Sequence, residues 1–432
     1  MTLRTVMIDS RRGAREIERL RSRGRTTIDR RTLRRARAIV DEVRRKGDRA
    51  LLAHVANLDG VEASTVASLR QPAPAAEELR HRLAPGLEEA LERAIGAVDA
   101  FHAPQVRPGY EQERNGVWLE ERRNPLRRVG IYIPGGRFPY PSTAIMTVIP
   151  ARLAGVEEIV VATPPLAFAA SVPLRYTLAR LGVREIWGMG GAHAIAALAY
   201  GTATVRRVDK IVGPGNVWVN AAKQIVAGDV GIDGLPGPTE IVVFADSSVD
   251  PALVAADLLA QAEHDVLAAA ILVTDDRRFA KRVSDQIAVQ LPALATAGIA
   301  RESIARYGVA LVVGGLEEGL DLVETIAPEH LQLMGEGPET LRDRVSRAGA
   351  VVVGSSTTAV FGDYVAGPSH VLPTGGSARF SSALGVDDFI RRSHSIRFTP
   401  AAARDWAETA ATMADVEGLA AHAAAARRRL GR

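Results

Sequence analysis

The chain has 432 residues, of which 47% are hydrophobic and 24% are charged, and its formal net charge is +4. This length exceeds what one compact core accommodates, so two or more domains are expected, and the balanced composition argues against intrinsic disorder. The sequence contains no cysteine, which excludes disulfides, thiol nucleophiles, thiolate metal sites and cysteine-ligated iron–sulfur clusters.

Residues 1–27 are predicted to form a charged helical arm, with Ile17 and Leu20 at helical spacing. The segment becomes charged before any apolar export signal develops, and no apolar stretch of membrane-spanning length follows it. A cytoplasmic protein without membrane contact is therefore expected. Arginines are crowded between Arg4 and Arg37, but no aromatic residue lies among them. This pattern favours a solvated, salt-bridged surface over a nucleic-acid site.

Residues 28–127 are predicted to be helical, because apolar residues such as Ile39, Val40 and Val43 recur at a spacing of three to four. The pattern then changes. Short β-branched runs (VGIYIP, EEIVVAT, REIWGMGG, DKIVGPG) alternate with helices, and a second set (EIVVFAD, AAILVTD, GVALVVGG, GAVVVG) does the same. Such runs predict parallel sheets buried on both faces, in two α/β units that divide near 234–239. From about residue 385 the chain is predicted to be helical again, and the Ala-rich EGLAAHAAAARRR is expected to dock as a helix.

Three glycine-rich turns, IYIPGGRFPYPS, GMGGAHAIA and KIVGPGNVWVN, each follow a predicted strand and precede a predicted helix. Taken singly, each is typical of a tight strand–helix connection, and none has the GxGxxG pattern of a standard dinucleotide site. Together, at the carboxyl ends of parallel strands, they would line one crevice. The set therefore favours a ligand- or cofactor-binding edge.

Two segments carry candidate metal ligands. In QAEHD, Gln261 and His264 are predicted to share a helical face and so to reach one ion, although a solvated polar helix end has the same pattern. FGDYVAGPSHVLPTGG places Asp363 and His370 in a Gly/Pro-rich loop, where Asp363 is either a ligand or a turn residue. Without cysteine, a zinc-like site could be formed by Gln261, His264, Asp363 and His422.

The segment IAPEHLQL places Glu329 and His330 together at the predicted start of a strand. At that position both side chains can face a cleft, and a carboxylate beside an imidazole offers two bases of different intrinsic pKa. A surface glutamate beside a half-buried histidine remains the alternative interpretation. The pair is the candidate for proton transfer.

Taken in order, these segments resemble the histidinol dehydrogenase family over nearly the whole chain. The resemblance rests on VGIYIPGG, GGAHAIAALAYGT, KIVGPGN, GPTEIVVFAD, QAEHD, APEHLQL, GDYVAGPSHVLPTGGSARFSS and EGLAAH. It implies an α/β fold with two Rossmann-like parallel-sheet domains, as in aldehyde and histidinol dehydrogenases, plus small helical N- and C-terminal segments. The implied division is a helical arm (1–27), a metal-binding and catalytic domain (28–131 with 240–384), an NAD-binding domain (132–239) and a C-terminal dimerisation segment (385–432).

The resemblance also implies the ligands of the site. One zinc ion per subunit would be bound by Gln261, His264 and Asp363, and by His422 from the partner subunit of a homodimer. The zinc would chiefly orient the substrate. The cofactor NAD would be contacted by Tyr132, His193 and Asn216. The positions that match substrate contacts are Thr239, Gln261, His264, His330, Asp363, His370, Glu417 and His422.

The implied reaction is the oxidation of L-histidinol to L-histidine through a bound aldehyde, with two successive NAD molecules. His330 would be the base for the alcohol proton and again for the hydrated aldehyde, and Glu329 would activate the water that forms this hydrate. These are the last steps of histidine biosynthesis. Neither nucleic acid nor a membrane is expected as a partner.

Four departures from the family pattern leave a second hypothesis open. His193 stands where the family usually has Gln, and it lacks the paired donor and acceptor of an amide. Thr239 replaces Ser, Pro236 replaces Ala and Ser369 replaces Asn. The alternative is a paralogous zinc- and NAD-dependent dehydrogenase of another polar alcohol, such as a sulfonated propanediol. A third hypothesis, a non-catalytic ligand-binding protein on this scaffold, is disfavoured by the intact Glu–His pair.

Overall fold

The computed structural model describes residues 3–26 (24–26 as backbone only), 28–73, 75–135 and 140–431. The strands within these residues are β1 (Arg4–Met7), β2 (Arg70–Gln71), β3 (Tyr110–Arg114), β4 (Val117–Pro125), β5 (Arg128–Tyr132), β6 (Glu158–Thr163), β7 (Glu185–Gly188), β8 (Lys210–Val212), β9 (Gly231–Ile232), β10 (Glu240–Ala245), β11 (Ala269–Thr274), β12 (Val309–Val312), β13 (His330–Met334), β14 (Ala350–Val353) and β15 (Ile390–Phe398).

The α-helices in the same residues are α1 (Arg11–Thr26), α2 (Arg30–Lys46), α3 (Asp48–His54), α4 (Ala76–Arg80), α5 (Leu87–His102), α6 (Pro141–Leu153), α7 (Pro165–Ala170), α8 (Val172–Arg180), α9 (Gly191–Tyr200), α10 (Val217–Val226), α11 (Pro251–Ala262), α12 (Arg277–Gln290), α13 (Ala297–Tyr307), α14 (Leu316–Ile326), α15 (Ala359–Tyr364), α16 (Pro400–Val416) and α17 (Ala420–Arg427). None of these described helices combines the length and the apolarity that a membrane crossing requires.

The first six-stranded sheet has the order β1-β12-β11-β10-β13-β14, and all its neighbouring strands are parallel. Its central strands β10 and β11 are buried along their whole length, which explains their continuous apolar sequences. On one face, Val243 and Leu272 pack with Leu258 of α11 and Phe279 of α12. On the other face, Phe244 packs with residues of α14.

The second six-stranded sheet has the order β2-β7-β6-β5-β8-β9, and it is parallel except for the short edge strand β2. Helices α2, α9 and α10 contribute to the core on one face, with Val40 and Ile195 fully buried. Helices α5 and α6 contribute to the core on the other face, with Val98 and Met146 fully buried. Both faces are therefore covered, as the predicted parallel sheets require.

A third sheet, β15-β4-β3, is antiparallel, and it joins the C-terminal segment to the chain around residue 120. Its strands lie between 110 and 125 and between 390 and 398, within segments for which only helices were predicted. The strands are rich in charged residues and only partly buried, so the apolar alternation that marks a half-buried strand is weak. Strand β1 also corrects the prediction of a purely helical arm, since a four-residue strand is too short to show a period.

The predicted domain boundaries also need correction. Residues 28–131 were assigned to the unit that contains residues 240–384, but β2 and β5 belong to the second sheet, and α2 and α5 pack on that sheet. An amphipathic helix shows that it covers a core, but its sequence does not say which sheet it covers. The chain passes from the second sheet to the first between Ile232 and Glu240, where the sequence predicted a division.

Candidate active site

A pocket of about 590 Å³ lies between the two six-stranded sheets. The second sheet lines it beyond the carboxyl ends of β5 and β8, through Pro134 and the turn 214–217. The first sheet lines it before the amino ends of β10, β11 and β13, through Thr239, Leu267 and the pair 329–330. A cavity of this size is typical of a small-molecule site.

Glu329 and His330 lie on the pocket wall where β13 begins, as predicted. Their side chains are only 9% and 8% exposed. The Nε2 atom of His330 lies 3.9 Å from a carboxylate oxygen of Glu329 and 3.9 Å from one of Asp363. Neither distance is that of a hydrogen bond, so neither carboxylate occupies this nitrogen. Burial lowers the pKa of His330, which favours the neutral imidazole that accepts a proton.

Glu329 is held by two donors from the start of β10. Its carboxylate accepts from the Thr239 hydroxyl at 2.5 Å and from the Glu240 backbone N–H at 3.1 Å. In return, the Glu240 carboxylate accepts from the Glu329 backbone N–H at 3.2 Å and from Gly375 N–H at 2.8 Å. Burial, followed by the charge of Glu240, raises the pKa of Glu329 to about 8. Such a carboxyl group exchanges its proton near neutral pH, which suits acid–base chemistry.

Thr239 also connects Glu329 to Gln261. The Gln261 amide nitrogen donates to the Thr239 hydroxyl oxygen at 2.6 Å, and that hydroxyl donates to Glu329. The amide oxygen of Gln261 is therefore the atom left for a ligand. Helix α11 ends at Ala262, so His264 lies in the turn behind it and not on a shared helical face, as was predicted. The chain must turn here to enter β11, and the exposed His264 side chain lines the pocket.

Asp363 and His370 approach the pocket from the other side of His330. Asp363 lies on the short helix α15, which corrects the predicted loop; the Thr358 hydroxyl caps this helix by accepting from Val360 N–H. His370 lies in the loop that follows, as predicted, with Nδ1 2.9 Å from the Asp363 carbonyl oxygen. Because a carbonyl only accepts, Nδ1 carries the hydrogen and Nε2, facing Thr143 at 3.4 Å, is the acceptor.

Three of the four predicted metal ligands come together here. His264 and Asp363 line the pocket, and Gln261 lies directly behind Thr239. Nitrogen and oxygen donors of these types suit zinc, but the described residues contain no group of three or more His, Asp or Glu side chains arranged to hold a metal ion. His422 lies exposed on α17, and neither it nor the exposed Glu417 lines the pocket. The donor set of one chain therefore fits zinc only if a further ligand is added.

The predicted cofactor positions separate into two groups. Asn216 lines the pocket and begins α10, where its side-chain oxygen accepts from the backbone N–H groups of residues 218 and 219. Tyr132 and His193 are 3% and 0% exposed and do not line the pocket. The Nε2 atom of His193 lies 2.8 Å from Asp59, and the Tyr132 hydroxyl accepts from Gly191 N–H at 3.1 Å. These two side chains hold the turn after β7 together and leave no surface for a ligand.

The three glycine-rich turns also differ in whether they line the pocket. The turns after β5 and β8 reach the pocket, through Pro134 and through residues 214–217, whereas the turn after β7 does not. Residues 136–139 of the first turn lie outside the described residues. Among the departures from the family pattern, Thr239 alone lines the pocket. Pro236 accepts from Asn220 through its carbonyl, and the buried Ser369 hydroxyl donates to Met146 O and accepts from Val371 N–H.

Sequence reasoning missed two charged residues behind the pocket. Glu240 is buried, and it exchanges backbone-to-carboxylate hydrogen bonds with Glu329. Arg23 of α1 lies over the Tyr307 ring, donates to the carbonyl of Leu267 and interacts electrostatically with both glutamates. One signal was present, since Glu240 is an acidic residue that opens an otherwise apolar strand, EIVVFA. No sequence pattern connects Arg23 to a strand more than 200 positions away.

Comparisons with known proteins place these observations in one family. The sequence model of a family described as histidinol dehydrogenase matches residues 22–430. The histidinol dehydrogenase of Moorella thermoacetica is 46% identical over 393 residues, covering 90% of this chain and 92% of the relative. That of Geobacter sulfurreducens is 45% identical over 389 residues, covering 89% and 90%. The crystal structure of histidinol dehydrogenase from Elizabethkingia anophelis matches with a TM-score of 0.90 and 32% identity, covering 99% and 98% of the two chains.

Proposed function

The chain belongs to the histidinol dehydrogenase family, and we propose that it catalyses the complete four-electron oxidation of L-histidinol to L-histidine with two molecules of NAD. L-Histidinaldehyde would be the bound intermediate. The observation that carries the proposal is the convergence of Glu329, His330, Asp363 and His370 on one pocket. An oxidoreductase of this kind needs a base beside the reacting carbon at each of its two oxidations.

His330 is the proposed base in both oxidations. Its Nε2 faces the pocket without a hydrogen bond to either neighbouring carboxylate. In the first oxidation it would take the hydroxyl proton of histidinol, and in the second the hydroxyl proton of the hydrated aldehyde. NAD, when bound, would accept the hydride that leaves the same carbon in each oxidation. Each oxidation thus removes one proton and one hydride from the substrate.

Glu329 is the proposed base for the water that converts the aldehyde to its hydrate. The Thr239 hydroxyl and the Glu240 N–H fix its carboxylate at the pocket wall. A base acts on water only when it is ionised, so its raised pKa makes this role sensitive to pH near neutrality. Hydration is needed only between the two oxidations. An alcohol oxidation that stopped at the aldehyde would not require Glu329.

Zinc is the proposed metal, with one ion per subunit. The amide oxygen of Gln261, His264 and Asp363 would hold it, together with His422 of the partner subunit, which is why we propose a homodimer. Zinc, when bound, would hold and orient the substrate. Thr239, His370 and Glu417 would contact the substrate. Removing the metal with a chelator should abolish turnover but leave the melting transition cooperative, since Gln261 and Asp363 lie on helices that pack against a buried apolar core. Unfolding on chelation would indicate a structural metal instead.

NAD is proposed to bind along the second-sheet side of the pocket. Asn216 and the N-terminus of α10 lie there, and backbone N–H groups at a helix start favour anionic groups such as a pyrophosphate. Tyr132 and His193 support this proposal only indirectly, because both are buried behind the turn after β7. Asn216 is therefore the main proposed side-chain contact with NAD.

Steady-state NADH formation by the purified, zinc-loaded protein tests the proposal. L-Histidinol should be oxidised with two NADH formed per molecule consumed, and L-histidine should be the product. Formation of one NADH per L-histidinol consumed would show that the enzyme catalyses only the oxidation of the alcohol to the aldehyde. Turnover of a sulfonated propanediol without turnover of L-histidinol would favour the paralogous dehydrogenase. The structure gives that alternative little support, since Pro236, Ser369 and His193 do not line the pocket.

A further inference from the structure

Three polar side chains, the fully buried Gln332 and the partly buried Asp257 and Thr358, form a hydrogen-bonded cluster behind the pocket. One carboxylate oxygen of Asp257 accepts from the Gln332 amide at 2.7 Å, and the other accepts from the Thr358 hydroxyl at 2.7 Å. The Gln332 amide also donates to the Thr357 carbonyl at 2.8 Å. Gln332 is fully buried, and none of the three side chains lines the pocket. Asp257, Gln332 and Thr358 are called the Asp257 cluster below.

Each member of the Asp257 cluster shares a structural element with a residue of the site. Asp257 precedes Gln261 by four positions on α11, so the two lie on the same helical face. Gln332 follows His330 by two positions on β13, so both point to the same side of the sheet. Thr358 caps the helix that carries Asp363. The cluster therefore ties together the three elements that bring Gln261, His330 and Asp363 to the pocket.

We propose that Asp257, Gln332 and Thr358 are positioning residues that fix the relative placement of Gln261, His330 and Asp363, and so determine how well this chain binds its metal. The inference rests on the proposed function, because it assigns zinc to Gln261 and Asp363. A shift of α11, β13 or α15 relative to the other two would change the distances between Gln261, His330 and Asp363. The partly buried carboxylate of Asp257, with donors on two other segments, resists such shifts, because each displacement separates a polar group from its partner.

The test uses a matched pair of substitutions at one position. Thr358→Val removes the hydroxyl but keeps the volume, and Thr358→Ser keeps the hydroxyl. Thr177→Val is the control, because Thr177 does not line the pocket and its hydroxyl donates to Pro173 O within its own helix, α8. For each full-length variant we would measure the zinc dissociation constant by competition with a chelator of known affinity, together with the melting temperature and with kcat and KM for L-histidinol.

Thr358→Val should weaken zinc binding by about 10- to 100-fold, the usual cost of losing a residue that orients metal ligands, whereas Thr358→Ser should bind within about threefold of the wild type. Thr177→Val should lower the melting temperature but leave zinc affinity unchanged. Unchanged zinc affinity in Thr358→Val, or an equal loss in Thr177→Val, would overturn the proposal.

Asp257→Asn is the second test variant, should Thr358→Val fail to fold. It keeps the shape of the side chain but places an amide N–H₂ against one of the two donors, so zinc affinity should again fall about 10-fold or more. Affinity equal to that of the wild type would overturn the proposal. If the wild type binds zinc but does not oxidise L-histidinol, the proposed function fails while the zinc comparison still decides the role of the cluster. If the wild type does not bind zinc, both proposals fail.

Discussion

The two six-stranded sheets present opposite ends of their strands to the same pocket. Beyond the carboxyl ends of β5 and β8, the second sheet leads into the starts of α6 and α10, whose backbone N–H groups suit an anionic ligand. At the amino ends of β10 and β13, the backbone N–H groups of Glu240 and Glu329 each donate to the other residue's carboxylate. One edge is therefore suited to bind a cofactor, and the other to move protons.

Because the two edges differ in this way, substitutions on one edge should affect a different kinetic constant from substitutions on the other. Changes on the first-sheet edge should act on kcat, because they alter the groups that we propose to move protons and to hold the metal. Changes on the second-sheet edge should act on KM for NAD.

Replacing His330 with Asn should reduce kcat for L-histidinol by about 10²- to 10⁴-fold, because both oxidations lose their base. Glu329→Gln should slow oxidation of L-histidinaldehyde far more than oxidation of L-histidinol, because it affects only the hydration. Single-turnover NADH formation from each substrate measures the two steps separately. His81→Asn, at an exposed turn outside the pocket, is the control. Equal losses in both steps for Glu329→Gln would contradict the separate roles.

His422→Ala should lower kcat by about 10²-fold or more, although His422 lies outside the pocket of its own chain. Hybrid dimers test where the ligand comes from. A hybrid of one His330→Asn subunit and one His422→Ala subunit should recover about half of the wild-type activity, because one site then has His330 and the partner's intact His422. If each subunit supplied its own His422, neither site would be intact and the hybrid would remain inactive.

A general rule of sheet topology predicted part of the second-sheet edge, whereas the first-sheet residues were found from local sequence and the family resemblance. Glycine-rich turns after apolar strands follow a general rule, that parallel sheets bind ligands beyond their carboxyl ends, and Pro134 and Asn216 lie where this rule places them. No comparable rule covers the amino ends of strands. Glu329 and His330 were found there only because they are adjacent in sequence, and their roles came from the family resemblance.

Contacts between distant segments explain the other errors. His264 was placed on the same helix as Gln261 because a spacing of three fits a helix, but the helix must end at Ala262 for the chain to enter β11. Tyr132 and His193 were assigned to the cofactor, but their partners Gly191 and Asp59 hold them in the interior. Burial of this kind depends on partners that no local pattern identifies.

Glu240→Gln should shift the pH profile of the aldehyde step to lower pH. The charge of Glu240 contributes to raising the pKa of Glu329 to about 8, so its removal lowers that pKa and ionises Glu329 at lower pH. The rate at pH 7 should rise, by at most about tenfold, because a carboxyl group of pKa about 8 is roughly one-tenth ionised at that pH. Glu62→Gln, at an exposed position, should leave the profile unchanged. If the ascending limb of the pH–rate profile did not move in Glu240→Gln, ionisation of Glu329 would not control the aldehyde step.

The smallest effects are expected on the second-sheet edge, where Asn216 and His193 can be compared directly. Asn216→Ala removes the cap of α10 beside the pocket and should raise KM for NAD by about fivefold, the equivalent of about 1 kcal/mol. His193→Gln should leave KM for NAD within about twofold, because His193 is fully buried and Gln retains a donor for Asp59. Its effect should appear as a lower free energy of unfolding, by about 1 kcal/mol in denaturant titrations. A rise in KM for His193→Gln as large as that for Asn216→Ala would place the turn after β7 on the cofactor edge, and the division between the two sheets would then need to include it.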